Sequence, residues 1–379
     1  MSQKDSALYS PYIIDGVLQE LTPARILSAV TEDSSECAPD SFLPAVVDET
    51  VDAPVRTVDY DSLSIRDCLD AVRGCGRPFP YSSPCSAARF MLGSALADAL
   101  WRKGHFRLAN LRPEAFWEWN GAPVGSMAAF YRSVESVSSY VDDLGLKLAG
   151  YHFRKLGEGP SGLHFTLRLA DDDGAGAGDD DSFPPEPFSV SNASLQEGRI
   201  CPGTLVPDAS SWIIYIPFDP SDFRLGGSCL ASALGLSGSD PRIEDADYFI
   251  DCYEVVREFA EDSVLLSAVS VGKGGLAAAL ESMCSGGTGA AVDVSGVMRA
   301  YGEKSAVRVL FSEIPGVLIQ IRDSDFDYVD AELLLQDVAY YPLGHPDLSG
   351  AGLRFDFAEK SAIQTILESL LLNAGEKTK

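Results

Sequence analysis

The chain has 379 residues, 46% of them hydrophobic, a length that suits two domains of roughly 150 residues better than one core. Its 56 acidic and 29 basic side chains give a formal net charge of −27, which repels phosphate backbones and anionic lipid surfaces and sets aside nucleic acid and membranes as partners. No run of about twenty apolar residues occurs and Met1 to Asp5 are polar, so a cytoplasmic protein is expected.

Residues 1–80 read as a weakly specified N-terminal region, in which acidic clusters such as Glu32-Asp33 and Asp48-Glu49 break up short apolar runs. One helix is expected there, near Ile65 to Val72. Ser82-Ser83-Pro84 then starts a helix over Ser86 to Trp101, rich in Ala and Leu and ended by Gly104. Phe130, Val134, Val137, Val141 and Leu144 recur at helical steps before Gly145 and predict a second helix. Residues Asp171 to Asp181 hold six aspartates around Gly and Ala, with prolines following, and predict a mobile surface loop; the ligand spacing of an EF-hand is absent.

The second half is more regular. Trp212 to Phe218 reads as a buried strand, Gly226-Gly227-Ser228 opens a short helix, and Ala246, Phe249, Ile250, Tyr253, Val256 and Phe259 mark a longer one. Gly274-Gly275 precedes a helix over Leu276 to Met283. Strands are expected at Ala290 to Val294, Val307 to Phe311 and Val317 to Ile321, with a closing helix at Ala362 to Leu372. The interleaving predicts a mixed sheet covered by helices. Cysteines at 37, 68, 75, 85, 201, 229, 252 and 284 lack paired short spacings and read as reduced core thiols. His105, His152, His164 and His345 have no sequence partner for a triad or a metal, and structural roles are expected for all four.

Several of these segments, in order and spacing, carry a resemblance. Arg224-Leu225-Gly226-Gly227-Ser228, then Ser267-Ala268 leading to Gly274-Gly275-Leu276, then Leu310-Phe311-Ser312-Glu313 with Gly316 and Gln320, resemble the carboxy-terminal half of phosphoribosylformylglycinamidine synthase, of the aminoimidazole ribonucleotide synthase superfamily. Upstream, Leu92 to Trp101 resembles that family's helix Glu-Ala-Leu-Thr-Asn, and Ala115 to Trp119 its Ala-Asn-Trp-Met-Trp segment. The resemblance spans roughly residues 84–350 and implies an α+β first domain at 81–205, containing the Asp-rich loop 171–181, joined to an α/β second domain at 206–379. It also implies ATP or ADP with Mg²⁺ as ligand. Nucleotide-binding candidates by correspondence are Asp98, Gly226, Gly227, Ser228, Lys273, Gly274, Gly275 and Glu313.

The departures are chemical. The family helix's Glu and Asn are Ser94 and Asp98 here, so a carboxylate suited to Mg²⁺ is missing. Its Gly-Lys-Asp-Ser loop reads Gly150-Tyr151-His152-Phe153, and its Ala-His-Asp-Val-Ser-Asp-Gly-Gly-Leu reads Ala268 to Leu276, keeping the glycines while losing the His and both aspartates. No catalytic residue and no metal ligand is assigned. Bland readings stand beside the functional ones: Gly226-Gly227-Ser228 as a tight turn with a serine cap, Glu313 as a solvated strand-end residue, Trp117 and Trp119 as core or interface aromatics. The expectation is a catalytically degenerate relative with a structural or regulatory role, against an active ligase subunit that makes formylglycinamidine ribonucleotide from formylglycinamide ribonucleotide, ATP and supplied ammonia. The resemblance further implies a homodimer or a complex with a complementary synthase-like subunit, and a separate glutaminase partner if the chain is active.

Overall fold

A computed structural model describes residues 6–32, 43–52, 63–76, 78–170, 198–236, 238–350 and 352–355. The N-terminal region holds α1 (Ser6–Tyr9), β1 (Tyr12–Ile14), β2 (Val17–Leu18), α2 (Pro23–Ser28), β3 (Val46–Asp48) and α3 (Ile65–Gly74). Its small sheet runs β2-β1-β3, with β1 parallel to β3. Tyr12 and Ile14 alternate with Ile13 along β1, so their side chains enter the core while Ile13 stays partly exposed.

Next come α4 (Pro84–Asp98), β4 (Leu111–Asn120), α5 (Ser126–Asp143), β5 (Gly150–Leu156) and β6 (Gly162–Leu169). The N-terminal region docks here for a specific reason. Gly125 at the N-cap of α5 has no side chain to offer, and the Asp48 carboxylate from β3 takes its place, accepting the N–H groups of Gly125, Met127 and Ala128 at 2.9, 2.8 and 3.0 Å. Strand β4 lies between parallel β5 and antiparallel β6. Its Ala115, Trp117 and Trp119 are buried in the core, and the indoles donate to Ser133 Oγ (3.0 Å) and Ser126 O (2.8 Å) on α5. Both tryptophans are therefore core aromatics.

The remainder builds β7 (Trp212–Pro217), α6 (Cys229–Leu234), α7 (Ala246–Glu261), β8 (Leu265–Ser270), α8 (Gly275–Cys284), β9 (Gly289–Val292), α9 (Ser295–Tyr301), α10 (Ala306–Phe311), β10 (Gly316–Ile321), α11 (Phe326–Leu335), β11 (Tyr341–Asp347) and β12 (Leu353–Phe355). Six strands form one mixed sheet in the order β12-β9-β11-β7-β10-β8. Its central strands are apolar on both faces because both faces are covered. Ile214, Ile216, Val317 and Ile319 join a core that is continuous with α4, α5 and α7, whereas Ile213, Tyr215 and Leu318 join a second core with α3, α8 and α10. Gln320 is the polar exception within β10, and it is satisfied: its Oε1 accepts Val206 N (2.9 Å) and Ser267 Oγ (2.8 Å), and its Nε2 donates to Val206 O (2.9 Å) and Ser211 Oγ (2.7 Å).

Two expectations are corrected. Val307 to Phe311 is not a strand but most of α10: four apolar residues around Arg308 do not distinguish a buried strand from one buried helical turn and a half. Gly150 to Phe153 is not a loop but the start of β5, paired in register with Glu114 to Trp117. The Asp171–Asp181 loop and the closing helix at Ala362–Leu372 lie outside the described residues.

Candidate functional site

A cleft of about 600 Å³ opens where α3, α4, β6 and α8 meet. Its walls are mainly apolar, with Leu69 and Val72 from α3, Phe90 and Met91 from α4, and Leu163 and Phe165 from β6. Polar groups enter at two levels. Ser94 and Asp98, one helical turn apart on α4, face the interior, while Lys273, His164, Arg73 and Glu281 lie nearer the mouth.

The interior polar groups are spent on the protein itself. Ser94 Oγ donates to Val271 O at 2.9 Å. Ser270 Oγ donates to Asp98 Oδ1 at 3.3 Å and accepts the Trp101 indole N–H at 2.9 Å. Burial pushes the Asp98 carboxyl above the usual carboxylate range, opposed by the guanidinium groups of Arg199 and Arg102 and by the Ser270 hydrogen bond. Arg199 is itself anchored, its Nη2 donating to Ala268 O at 2.6 Å. At the mouth, burial together with the nearby Lys273 and Arg154 charges lowers the His164 pKa to about 4, so the ring is neutral at physiological pH.

The glycine candidates sit elsewhere. Gly226 is closely packed: a Cβ there would come 2.5 Å from Gly238 O and 2.6 Å from the Ser239 carbonyl carbon, and its N–H donates to Ser239 O. Ser228 caps α6, its Oγ accepting Ala231 N at 3.1 Å. Glu313 is buried rather than solvated. Its Oε1 accepts both Cys229 N (2.9 Å) at the start of α6 and Gly274 N (2.7 Å) at the start of α8, so the two helix starts are closed by one internal carboxylate. Gly275 has φ +69°, and a Cβ there would lie 2.8 Å from Leu310 O and from Ser312 O. Of the eight candidates, Asp98 and Lys273 line the cleft; Gly274, Gly275 and Glu313 shape the turn that carries Lys273, and Gly226, Gly227 and Ser228 form the neighbouring turn. Sequence reasoning missed Arg73 and Glu281. Their spacing in the chain is 208 residues, and no local pattern announces their meeting.

The chain is similar to known proteins in sequence and in fold. No protein-family model matches it. Human phosphoribosylformylglycinamidine synthase is 24% identical over 302 residues, covering 78% of this chain and 21% of that protein. The chain is a distant relative of phosphoribosylformylglycinamidine synthase. It spans about a fifth of the length of that human relative. Among solved structures, Thermotoga maritima PurL complexed with FGAR superposes with TM-score 0.50 at 13% identity, over 74% of this chain and 42% of that one. The hydrogenase maturation protein HypE in complex with ATP gives TM-score 0.44 at 12% identity, over 72% and 76%. The PurL likeness shows the fold: mixed sheets covered by helices, in the aminoimidazole ribonucleotide synthase-like arrangement.

Proposed function

We propose that this relative of phosphoribosylformylglycinamidine synthase binds a nucleotide or a smaller phosphate ligand in the α3/α4/β6/α8 cleft without transferring phosphoryl groups, and acts as a structural or regulatory partner. The observation that carries the reading is the closed set Trp101–Ser270–Asp98 beside Ser94–Val271. Phosphoryl transfer rests on metal ions and fixed charges placed around the reacting phosphate. Here the positions that the resemblance gives to metal-holding carboxylates are two serines bonded inward, and the remaining carboxylate, Asp98, faces two arginines.

The family's ligand, ATP with magnesium, fits in part. Phe90, Leu163 and Phe165 offer apolar surface for a base, and Lys273 offers a cation for a phosphate. Magnesium fits poorly among the described residues, because it is held by one or two accessible carboxylates with water and phosphate oxygens, and of the cleft's two carboxylates Asp98 is buried beside Ser270 and Glu281 is paired with Arg73. A thermal-shift series with ADP and ATP tests the binding. We expect stabilisation of the same size with and without Mg²⁺; stabilisation that appears only with Mg²⁺ contradicts the reading.

The same family relation suggests the partner surface. The face of the β5-β4-β6 sheet away from α4 and α5 carries Glu114 between His152 Nε2 (2.8 Å) and Arg168 Nη2 (2.7 Å), with Phe116 stacked on His152 at 4.7 Å. Among the described residues β5 and β6 are the sheet's edges. A second copy, or a synthase-like half, would pair those edges and cover that face.

A further inference from the structure

Helix α3 comes from the N-terminal region, ahead of the motifs at 84–350 that carry the resemblance, yet it builds one side of the cleft. Leu69, Val72 and Arg73 line the cavity, while Cys68, Leu69 and Val72 are buried in the second core against α6 and α8. Val72 rests directly on the turn that presents Lys273: a Cβ at Gly274, whose φ is +97°, would fall 2.9 Å from Val72 Cγ1. At its solvent side α3 is also tied to α8 by a charged group. Arg73 Nε donates to Glu281 Oε2 at 3.0 Å, a second guanidinium nitrogen meets Glu281 Oε1, and Asp70 completes the cluster. Arg73 is about half exposed, at 53%, and Glu281 is 35% exposed.

Cys68, Leu69 and Val72, with the half-buried Ile65 and Ala71, seat α3 on the second core, while the Arg73–Glu281 pair that ties it to α8 stays solvated and contributes little to stability. Arg73 and Glu281 both line the cleft, so an anionic group entering it competes directly with Glu281 for the guanidinium fork. We propose that α3 is a ligand-responsive wall of this cleft, with Arg73 as the second anion-binding cation beside Lys273 and Glu281 as the internal carboxylate that holds Arg73 until a phosphate displaces it. The inference rests on the reading of the cleft as a phosphate-ligand site.

The test measures ADP binding without Mg²⁺ by calorimetry, and amide hydrogen exchange of residues 65–74, on the parent, Arg73→Ala and Glu281→Gln. Arg73 is exposed and Glu281 partly so, and far-ultraviolet circular dichroism confirms the fold of each variant. We expect ADP to slow exchange in α3 of the parent, Arg73→Ala to bind roughly tenfold more weakly with that protection lost, and Glu281→Gln to bind several-fold more tightly because the competing carboxylate is gone. The tightening is the outcome that a purely structural ion pair would not give. Parent-like ADP affinity in both variants overturns this inference while leaving the cleft reading in place. A parent that binds no ADP overturns both.

Discussion

His164 is a residue whose charge state the fold decides. Its ring is a third exposed at the cleft mouth, where burial and the neighbouring cations Lys273 and Arg154 lower its pKa to about 4 from a value near 6.5 in an unfolded chain. Between those two pH values the unfolded chain binds more protons than the folded one, so stability rises with pH across this window and is lost as pH falls from about 6.5 towards 4. After allowing for solvent screening of a partly exposed ring, the effect amounts to about 1–2 kcal/mol. Substituting His164→Gln should flatten that part of the stability curve, as read from urea midpoints at pH 7, 6, 5 and 4.5. An unchanged slope in the variant would assign the acid sensitivity to other groups.

At the scale of elements, Glu313 decides how α6 and α8 begin. Removing its carboxylate leaves the N–H groups of Cys229 and Gly274 buried without their acceptor, at a cost of about 2–4 kcal/mol. Chemical denaturation of Glu313→Ala should show that loss, with Glu313→Gln losing less because its amide oxygen still accepts; equal stability of Glu313→Ala and the parent would mean that water or another donor set replaces the clamp. The elements themselves were legible in proportion to their length and regularity. Strand β7, strand β10 and helices α4, α5 and α8 follow from β-branched runs, three- and four-residue apolar steps and glycine stops. Helix α10 was not legible, because four apolar residues around Arg308 are too few to reveal a period. A helix near Ile65 to Val72 was expected, but its sequence carried no information about what α3 would cover. The site divides the same way. Asp98, Lys273 and the two serines were readable from aligned motifs, whereas the inward hydrogen bonds of Ser94 and Ser270, the double role of Glu313 and the Arg73–Glu281 contact depend on tertiary approach across 39 to 208 residues.

At the scale of the whole molecule, one hydrophobic core, continuous from α4 and α5 to the six-stranded sheet, holds the α4 and β6 walls of the cleft, and the second core on the other face of that sheet holds the α3 and α8 walls. The proposed pairing through β5 and β6 predicts self-association: light scattering at micromolar concentration should report a dimer, and a strictly monomeric species over that range would contradict a homodimer. The central claim is that a cleft of family shape binds without transferring phosphoryl groups. It is tested most directly by incubating the purified chain with ATP, Mg²⁺, formylglycinamide ribonucleotide and ammonium, and measuring ADP. The account predicts a rate indistinguishable from the control without protein. ADP formation that requires the ribonucleotide, and that disappears in Asp98→Ala, would contradict it and establish an active ligase.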